Sequence, residues 1–314
     1  MTTFEGIWVP LVTPFRQGKL DLYSAQQLAL NLSGAGIHGL VVCGTTGEAA
    51  TLNEHEQDKL LCGVIEAVQN RCPVLMGVSG SDTRVVAERI SHLNTLQPAG
   101  FLVSAPSYVR PSQEGIRLHF EAVAAAAQHP VVLYNIPSRT GVNIEPATVI
   151  ALECQANIVA IKECGGSLAQ TTELLHHSRL NILCGDDAAL FSTLCLGAHG
   201  AISAAAHIRP DLFVRLFELL RAGQIERART LFKQLLPVIQ LLFSEPNPAP
   251  VKAALALQGH IQDELRLPMT PMSAVGRVKL ARALDELMAL PFAMKIEKQG
   301  YAAGGRSRQL GLVR

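Results

Sequence analysis

The amino-acid sequence predicts an α/β protein: a closed parallel (β/α)8 barrel followed by an all-helical appendage. Three observations carry the prediction. Short apolar runs rich in Val and Ile alternate with stretches of helical period. The alternation repeats eight times before the pattern changes, which fits closure better than a doubly wound open sheet. After about Gly223 the strand-like runs stop, and only helical patterns follow.

In chain order the candidate strands are Ile7–Val12, Gly39–Cys43, Val74–Val78, Gly100–Ser104, Val131–Asn135, Ile158–Lys162, Asn181–Cys184 and Ala201–Ser203. Each is a short, mostly apolar run, as expected of a strand buried on both faces. Helix start signals lie between them. Asn53 with Glu56 makes a capping box ahead of Leu60, Leu61 and Val64, and Asp82 precedes a run containing Val85, Val86 and Ile90. Three helical segments, Ile225–Phe243, Pro250–Gln258 and Ser273–Leu290, form the appendage. The chain therefore divides into a barrel over 1–224, a three-helix region over 225–291 and a tail over 292–314. The tail carries Lys295, Lys298, Arg306, Arg308 and Arg314 against Glu297, with an Ala-Ala-Gly-Gly stretch, and reads as basic, flexible and solvated.

Composition narrows the function. The 314 residues are 48% hydrophobic and 17% charged, below the usual charged share of about 25%, which excludes disorder and leaves surface to bury in an oligomer. A net charge of +1 provides no field to collect a polyanion, so no nucleic-acid partner is expected. Seven cysteines, never spaced Cys-x-x-Cys, read as small core residues in a reducing compartment rather than a disulfide frame or zinc site. No apolar run approaches the roughly 18 residues of a membrane span, and no basic-then-apolar leader opens the chain. A soluble cytoplasmic protein is expected.

In a parallel barrel the C-terminal ends of the strands converge on one rim, so chemistry should be sought there. Lys162 closes the apolar run Ile158-Val-Ala-Ile161; desolvation there lowers an amine's pKa and frees its lone pair for attack on a carbonyl. The same position suits a lysine snorkelling at the rim or paired with Glu163. Lys252 is a rival, but its proline-rich context places it at a helix start in the appendage. Tyr134, at the end of the fifth strand, can shuttle protons beside such a lysine or simply fill the core. Arg139 can clamp a carboxylate with its planar fork, and Thr45 and Thr46, flanked by glycines, offer hydroxyls and amides to a small anion. Asp186 and Asp187, with no histidine at ligand spacing, read as caps of the helix containing Leu190 and Phe191, not as a metal site. Tyr108 reads as a loop aromatic.

Gly44-Thr-Thr-Gly-Glu48, Tyr134-Asn-Ile-Pro-Ser-Arg-Thr-Gly141, Ile161-Lys-Glu163 and Gly185-Asp-Asp187 resemble, in order and spacing, the signatures of the dihydrodipicolinate synthase family. Matches at Val12-Thr-Pro14, Arg110–Gly115, Glu245-Pro-Asn-Pro248 and Leu265–Pro271 extend the resemblance from about residue 6 to about residue 290. It implies a TIM barrel with a C-terminal helical region, assembled as a homotetramer that is a dimer of dimers, and a class I aldolase needing neither metal nor organic cofactor. It further implies that pyruvate forms a Schiff base on Lys162, with its carboxylate on Thr45 and Thr46. The resulting enamine would attack aspartate 4-semialdehyde to give 4-hydroxy-tetrahydrodipicolinate, the entry to diaminopimelate and lysine. Tyr134, Thr45 and Tyr108 match the family's proton relay, the last reaching in from a neighbouring subunit, and Gly185 and Ile202 match positions lining the pyruvate pocket.

Sister enzymes acting on sugar acids or sialic acid keep the lysine and tyrosine but generally lack the Ser-Arg-Thr-Gly turn, so Arg139 favours a short aldehyde bearing a carboxylate. The resemblance also carries a departure. Where lysine-inhibited bacterial members bind lysine, this chain has Ala49-Ala50, Glu54, Gln57, Ser81, Val85 and Ser107, so little inhibition by lysine is expected. Two other readings remain: a related aldolase or dehydratase using another aldehyde or 2-keto acid, and a non-catalytic paralogue that binds a keto acid.

Overall fold

The computed structural model describes residues 4–291; the basic tail expected over 292–314 lies outside them. Ten strands occur, β1 (Gly6–Pro10), β2 (Phe15–Arg16), β3 (Lys19–Leu20), β4 (Gly39–Val42), β5 (Val74–Val78), β6 (Gly100–Ser104), β7 (Val131–Asn135), β8 (Ile158–Glu163), β9 (Asn181–Cys184) and β10 (Gly200–Ile202). Eight of them close a parallel barrel in the order β1-β10-β9-β8-β7-β6-β5-β4. The expected barrel is therefore present.

Each barrel strand sends alternate side chains inward and outward. The inward set, including Trp8, Val41, Leu75, Leu102, Val132 and Ala160, packs as one internal cluster. The outward set packs under the surrounding helices in a larger one. Glycine is required where the layers crowd: a Cβ on Gly39 would lie 2.2 Å from the Trp8 ring, so the large indole fills space that β4 leaves open.

Helix boundaries follow local chemistry. The Asn53–Glu56 capping box opens helix Glu54–Val68 as expected, and Asp82 caps Thr83–Leu93. The appendage helices are Ile225–Leu242, Ala249–Leu257 and Ala274–Met288, within two residues of the expected bounds, with Ser273 serving as a cap.

Differences from the sequence reading have physical causes. The first strand ends at Pro10 rather than Val12, because the Val12 amide donates to His207 Nε2 at 3.2 Å instead of to a neighbouring strand. The antiparallel hairpin β2–β3 was not expected; it turns on Gln17 (φ 52°) and Gly18 (φ 75°), the pair of left-handed residues a tight hairpin needs. Cys43, Cys72 and Cys184 are buried as expected, but Cys62, Cys154 and Cys195 are exposed, so the core reading fails for these three. Among the described residues no helix is long and apolar enough to cross a membrane.

The appendage is fastened to the barrel rim by charge. Lys252, fully buried, donates to Glu48 Oε1 at 2.7 Å and to Thr13 O at 2.9 Å. Arg266 holds both oxygens of Glu56 and the Gly18 carbonyl. Both cations lie 4.4 Å from the centre of the Phe15 ring, so one aromatic carries the two anchors.

His207 joins the ends of β1 and β10. Its Nε2 accepts from Val12, so Nδ1 carries the proton and donates to Ala204 O at 2.8 Å. Burial pushes its pKa down to about 4. The unfolded imidazole, near 6.5, takes up protons first, so this contribution to stability is complete above pH 6.5 and is lost as pH falls toward 4. Asp187, pushed up to about 6 by burial, works in the opposite direction, so the histidine's effect is read by difference. The destabilisation caused by His207→Ala should shrink by about 3 kcal/mol between pH 7 and pH 4, at about 1.4 kcal/mol per pKa unit. Denaturant titrations of both proteins at several pH values check this; a penalty constant with pH would contradict it.

Candidate active site

The strand C-termini carry the polar residues singled out above to one mouth. After β4 the chain turns sharply: Cys43 (φ 54°) and Glu48 (φ 52°) are left-handed, and the Gly47 amide bonds back to Gly44 O at 3.1 Å. Thr13 Oγ1 donates to Gly47 O at 2.6 Å and fixes the turn from below. This presents Thr45 and Thr46 at the rim.

Tyr134 ends β7 and Lys162 lies near the end of β8, directly paired with it. Both are 6% exposed. Lys162 Nζ lies 4.4 Å from the centre of the Tyr134 ring, and the Tyr134 hydroxyl is 3.4 Å from Thr45 Oγ1. A cavity of about 530 Å³ opens beside them, lined by Thr45, Thr46, Tyr134, Arg139, Lys162, Gly185 and Ile202. A second, of about 340 Å³, meets it along Thr45, Tyr134 and Arg139. The snorkelling and Glu163-paired readings of Lys162 do not hold, since the amine is buried and Glu163 bonds elsewhere.

The expected depression of the Lys162 pKa is corrected by its surroundings. Burial disfavours the ammonium, but the nearby Asp187 carboxylate and a hydrogen bond with Tyr134 oppose it, and the amine stands above its ordinary value. Burial also pushes the Tyr134 phenol up, and the Cys164 thiol up to about 12. Both are neutral at pH 7, leaving Asp187 as the acidic neighbour that is ionised there. The resting site is an ammonium beside a neutral phenol.

Asp186 and Asp187 divide the role expected of them. Asp186 caps the turn at Asp187–Ala189 by accepting from the Ala188 amide. Asp187 is not a helix cap: it is buried, bonds the Ser203 hydroxyl and accepts from the Ala205 amide at 3.2 Å, holding the segment after β10 against the cavity. Gly185 touches Lys162 closely, and Ile202 is 1% exposed in the internal cluster. Arg139 is exposed at the rim. Tyr108 is apart from the group: it is 92% exposed on a loop where its φ is 70°, and within one chain it does not line either cavity.

Two neighbours were not singled out from sequence. Asn247 Nδ2 donates to Thr46 Oγ1 at 3.0 Å, which leaves the threonine's own proton free to point elsewhere, and its buried Oδ1 has no partner among the described residues. Its signal was present in Glu245-Pro-Asn-Pro248, but nothing in an appendage motif says that it folds over a barrel turn. Cys164 lines the lysine cavity one turn of the strand repeat beyond Lys162. Among the described residues, no group of three or more His, Cys, Asp or Glu could hold a metal ion.

A buried lysine and a tyrosine at the C-terminal rim of a (β/α)8 barrel define the class: lyases that work as class I, Schiff-base aldolases. The sequence model of the dihydrodipicolinate synthetase family matches residues 3–287. A 4-hydroxy-tetrahydrodipicolinate synthase of Syntrophobacter fumaroxidans is 41% identical over 90% of this chain and 98% of its own. A chloride-inhibited dihydrodipicolinate synthase of Acinetobacter baumannii, solved with pyruvate, superposes with TM-score 0.89 at 32% identity, over 92% of this chain and 100% of its own. The corresponding enzyme of Cyanidioschyzon merolae, solved with lysine bound, gives TM-score 0.89 at 36% identity, over 91% and 99%. The chain belongs to the dihydrodipicolinate synthetase family.

The closeness of Gly185 to the lysine is testable. A Cβ there would lie 2.0 Å from Cys164 Sγ and 2.9 Å from Lys162 Cε. Gly185→Ala should displace the lysine stem and cost about 100-fold in turnover, the scale of an ångström misplacement, with circular dichroism unchanged. Adding Cys164→Ala, which removes the nearest obstacle, should restore part of the loss; full activity in the single variant would refute the crowding.

Proposed function

We propose that this chain is a 4-hydroxy-tetrahydrodipicolinate synthase in which Lys162 is the Schiff-base residue. The observation that carries the reading is the buried amine 4.4 Å from the Tyr134 ring, in a mouth that also holds Thr45 and Thr46. The ammonium must first lose a proton. Tyr134 can accept it while passing its own to Thr45, whose oxygen is 3.4 Å away. The free amine adds to the pyruvate carbonyl carbon, water leaves, and an iminium forms. The iminium draws electrons as a methyl proton departs, giving an enamine that attacks the aldehyde of aspartate 4-semialdehyde. The substrate's own amine then displaces Lys162 and closes the ring.

Thr46 is suited to hold the pyruvate carboxylate because Asn247 occupies its oxygen as a donor, leaving its hydroxyl hydrogen for the substrate. Gly185 and Ile202 form the apolar wall. Arg139, with no carboxylate partner among the described residues, takes the carboxylate of the semialdehyde. Tyr108 completes the relay in a second copy of the chain, which accounts for so exposed an aromatic, and the assembly is read as a cytoplasmic homotetramer on the strength of the family resemblance.

The altered lysine positions do converge. Ala49, Ala50, Glu54, Gln57, Ser81, Val85 and Ser107 line a cavity of about 420 Å³. Two of their polar side chains are already committed: Gln57 Nε2 donates to Ala49 O and Leu52 O and its oxygen accepts from Arg89, and Ser81 Oγ donates to Ser107 O at 2.7 Å. A zwitterion entering there would meet two alanines, a valine and two committed side chains, with Glu54 left to face its ammonium, and so gain few partners for the water it loses.

The test is formation of the cyclic product from pyruvate and aspartate 4-semialdehyde, followed through a coupled reductase. Turnover should vanish in Lys162→Ala, and Arg139→Ala should raise the KM for the semialdehyde about tenfold or more, as loss of a charge-assisted bond does. No turnover from the folded protein would transfer the assignment to another aldehyde. In the same assay, lysine at about 1 mM should leave the rate within about 20%, which corresponds to a dissociation constant of roughly 4 mM or weaker; strong inhibition would refute the reading of the cleft.

A further inference from the structure

Lys162 and Tyr134 face each other through one particular register of β7 on β8. Val131 pairs with Ile158, but Val132 pairs with Ala160, so Val159 is an extra residue in β8. Beyond this bulge Tyr134 pairs with Lys162, and Asn135 with Glu163. Without the extra residue Ile161 would stand opposite Tyr134, and Lys162 would point out of the barrel interior.

The next pair along sits on the other face of the sheet and has chemistry of its own. Asn135 is fully buried and Glu163 is 5% exposed. Asn135 Nδ2 donates to both carboxylate oxygens of Glu163, at 3.1 and 3.0 Å, and to Asn143 Oδ1 at 2.8 Å. Gln170 Nε2 donates to Glu163 Oε2 at 3.0 Å, and the Gly165 amide donates to Oε1. The cage is braced in turn: Asn143 Nδ2 donates to Gln170 Oε1 at 2.8 Å, and the Ile144 amide to Asn135 Oδ1 at 3.0 Å. Glu163 thus meets neutral donors, and no ion pair holds it among the described residues. A buried carboxylate without a cation costs free energy that an apolar pair in the same place would not. Its return is directional: an acceptor with two fixed oxygens bonds in one register and not in the neighbouring one.

We propose that Asn135 and Glu163 are positioning residues for the reaction, locking β7 and β8 one step beyond Tyr134 and Lys162 and so setting the distance between amine and phenol. The inference rests on Lys162 being the residue that takes pyruvate.

Timed borohydride trapping with pyruvate tests it. Wild type should take up one pyruvate per chain, on Lys162. Glu163→Gln, which keeps the size but puts a donor among donors, should reach the same final stoichiometry about tenfold or more slowly, with kcat falling in step and the pyruvate KM within about threefold. Glu163→Asp, which keeps both acceptor oxygens on a side chain one methylene shorter, should be faster than Glu163→Gln though slower than wild type. Trapping of Glu163→Gln at the wild-type rate, a final stoichiometry that falls with the rate, or a Glu163→Asp variant no faster than Glu163→Gln would each overturn the proposal. If wild type itself takes no pyruvate at Lys162, the Schiff-base reading falls, and this inference with it.

Discussion

An amine buried against a phenol at the dry end of a barrel is the constraint around which this molecule is arranged. An ammonium in such a place is costly unless neighbouring groups oppose the desolvation. Here Tyr134 lies under Lys162 and the buried Asp187 supplies the acidic charge. Closure of the barrel leaves no free sheet edge beside the pair, and both side chains are 6% exposed at its rim. The bulge at Val159 then decides which face of β8 the lysine takes.

The rim turn that carries Thr45 and Thr46 depends on the appendage more than on the barrel. Its last residue, Glu48, is held by Lys252 from helix Ala249–Leu257, and Thr46 by Asn247 just before that helix. Thr13 and Phe15, from the segment after β1, complete the support. The appendage thereby fixes this turn by interactions that span some 200 positions of sequence, with separations of 201 for Asn247 to Thr46 and 204 for Lys252 to Glu48. A buried ion pair of this kind is weak as a source of stability but specific as a device for register.

The barrel was legible because its strands are mostly apolar on both faces and several helices are opened by a cap that needs only local sequence, as at Asn53 and Asp82. What was misread depends on partners far along the chain. Val12 has strand composition, yet its amide goes to His207. Asp187 has the look of a cap, yet it bonds across to Ser203 and Ala205. Lys162 and Tyr134 stood out by their places at strand ends, but the lysine's pKa could not be read from burial alone, since the opposing charge of Asp187 comes from the turn after another strand. Asn247 and the Asn135–Glu163 clamp are invisible locally for the same reason. Cys62 and Cys195, on helices, and Cys154, in a turn, show the converse: a small apolar residue type says little about whether it faces the core or the solvent.

The most direct measurement is a crystal structure of the protein soaked with pyruvate. The account predicts continuous density from Lys162 Nζ to the former carbonyl carbon, with the carboxylate on the Thr45–Thr46 turn and the Tyr134 hydroxyl within hydrogen-bond reach of the new linkage. Pyruvate attached to Lys252, or resting unlinked in the mouth beside an unmodified Lys162, would contradict it.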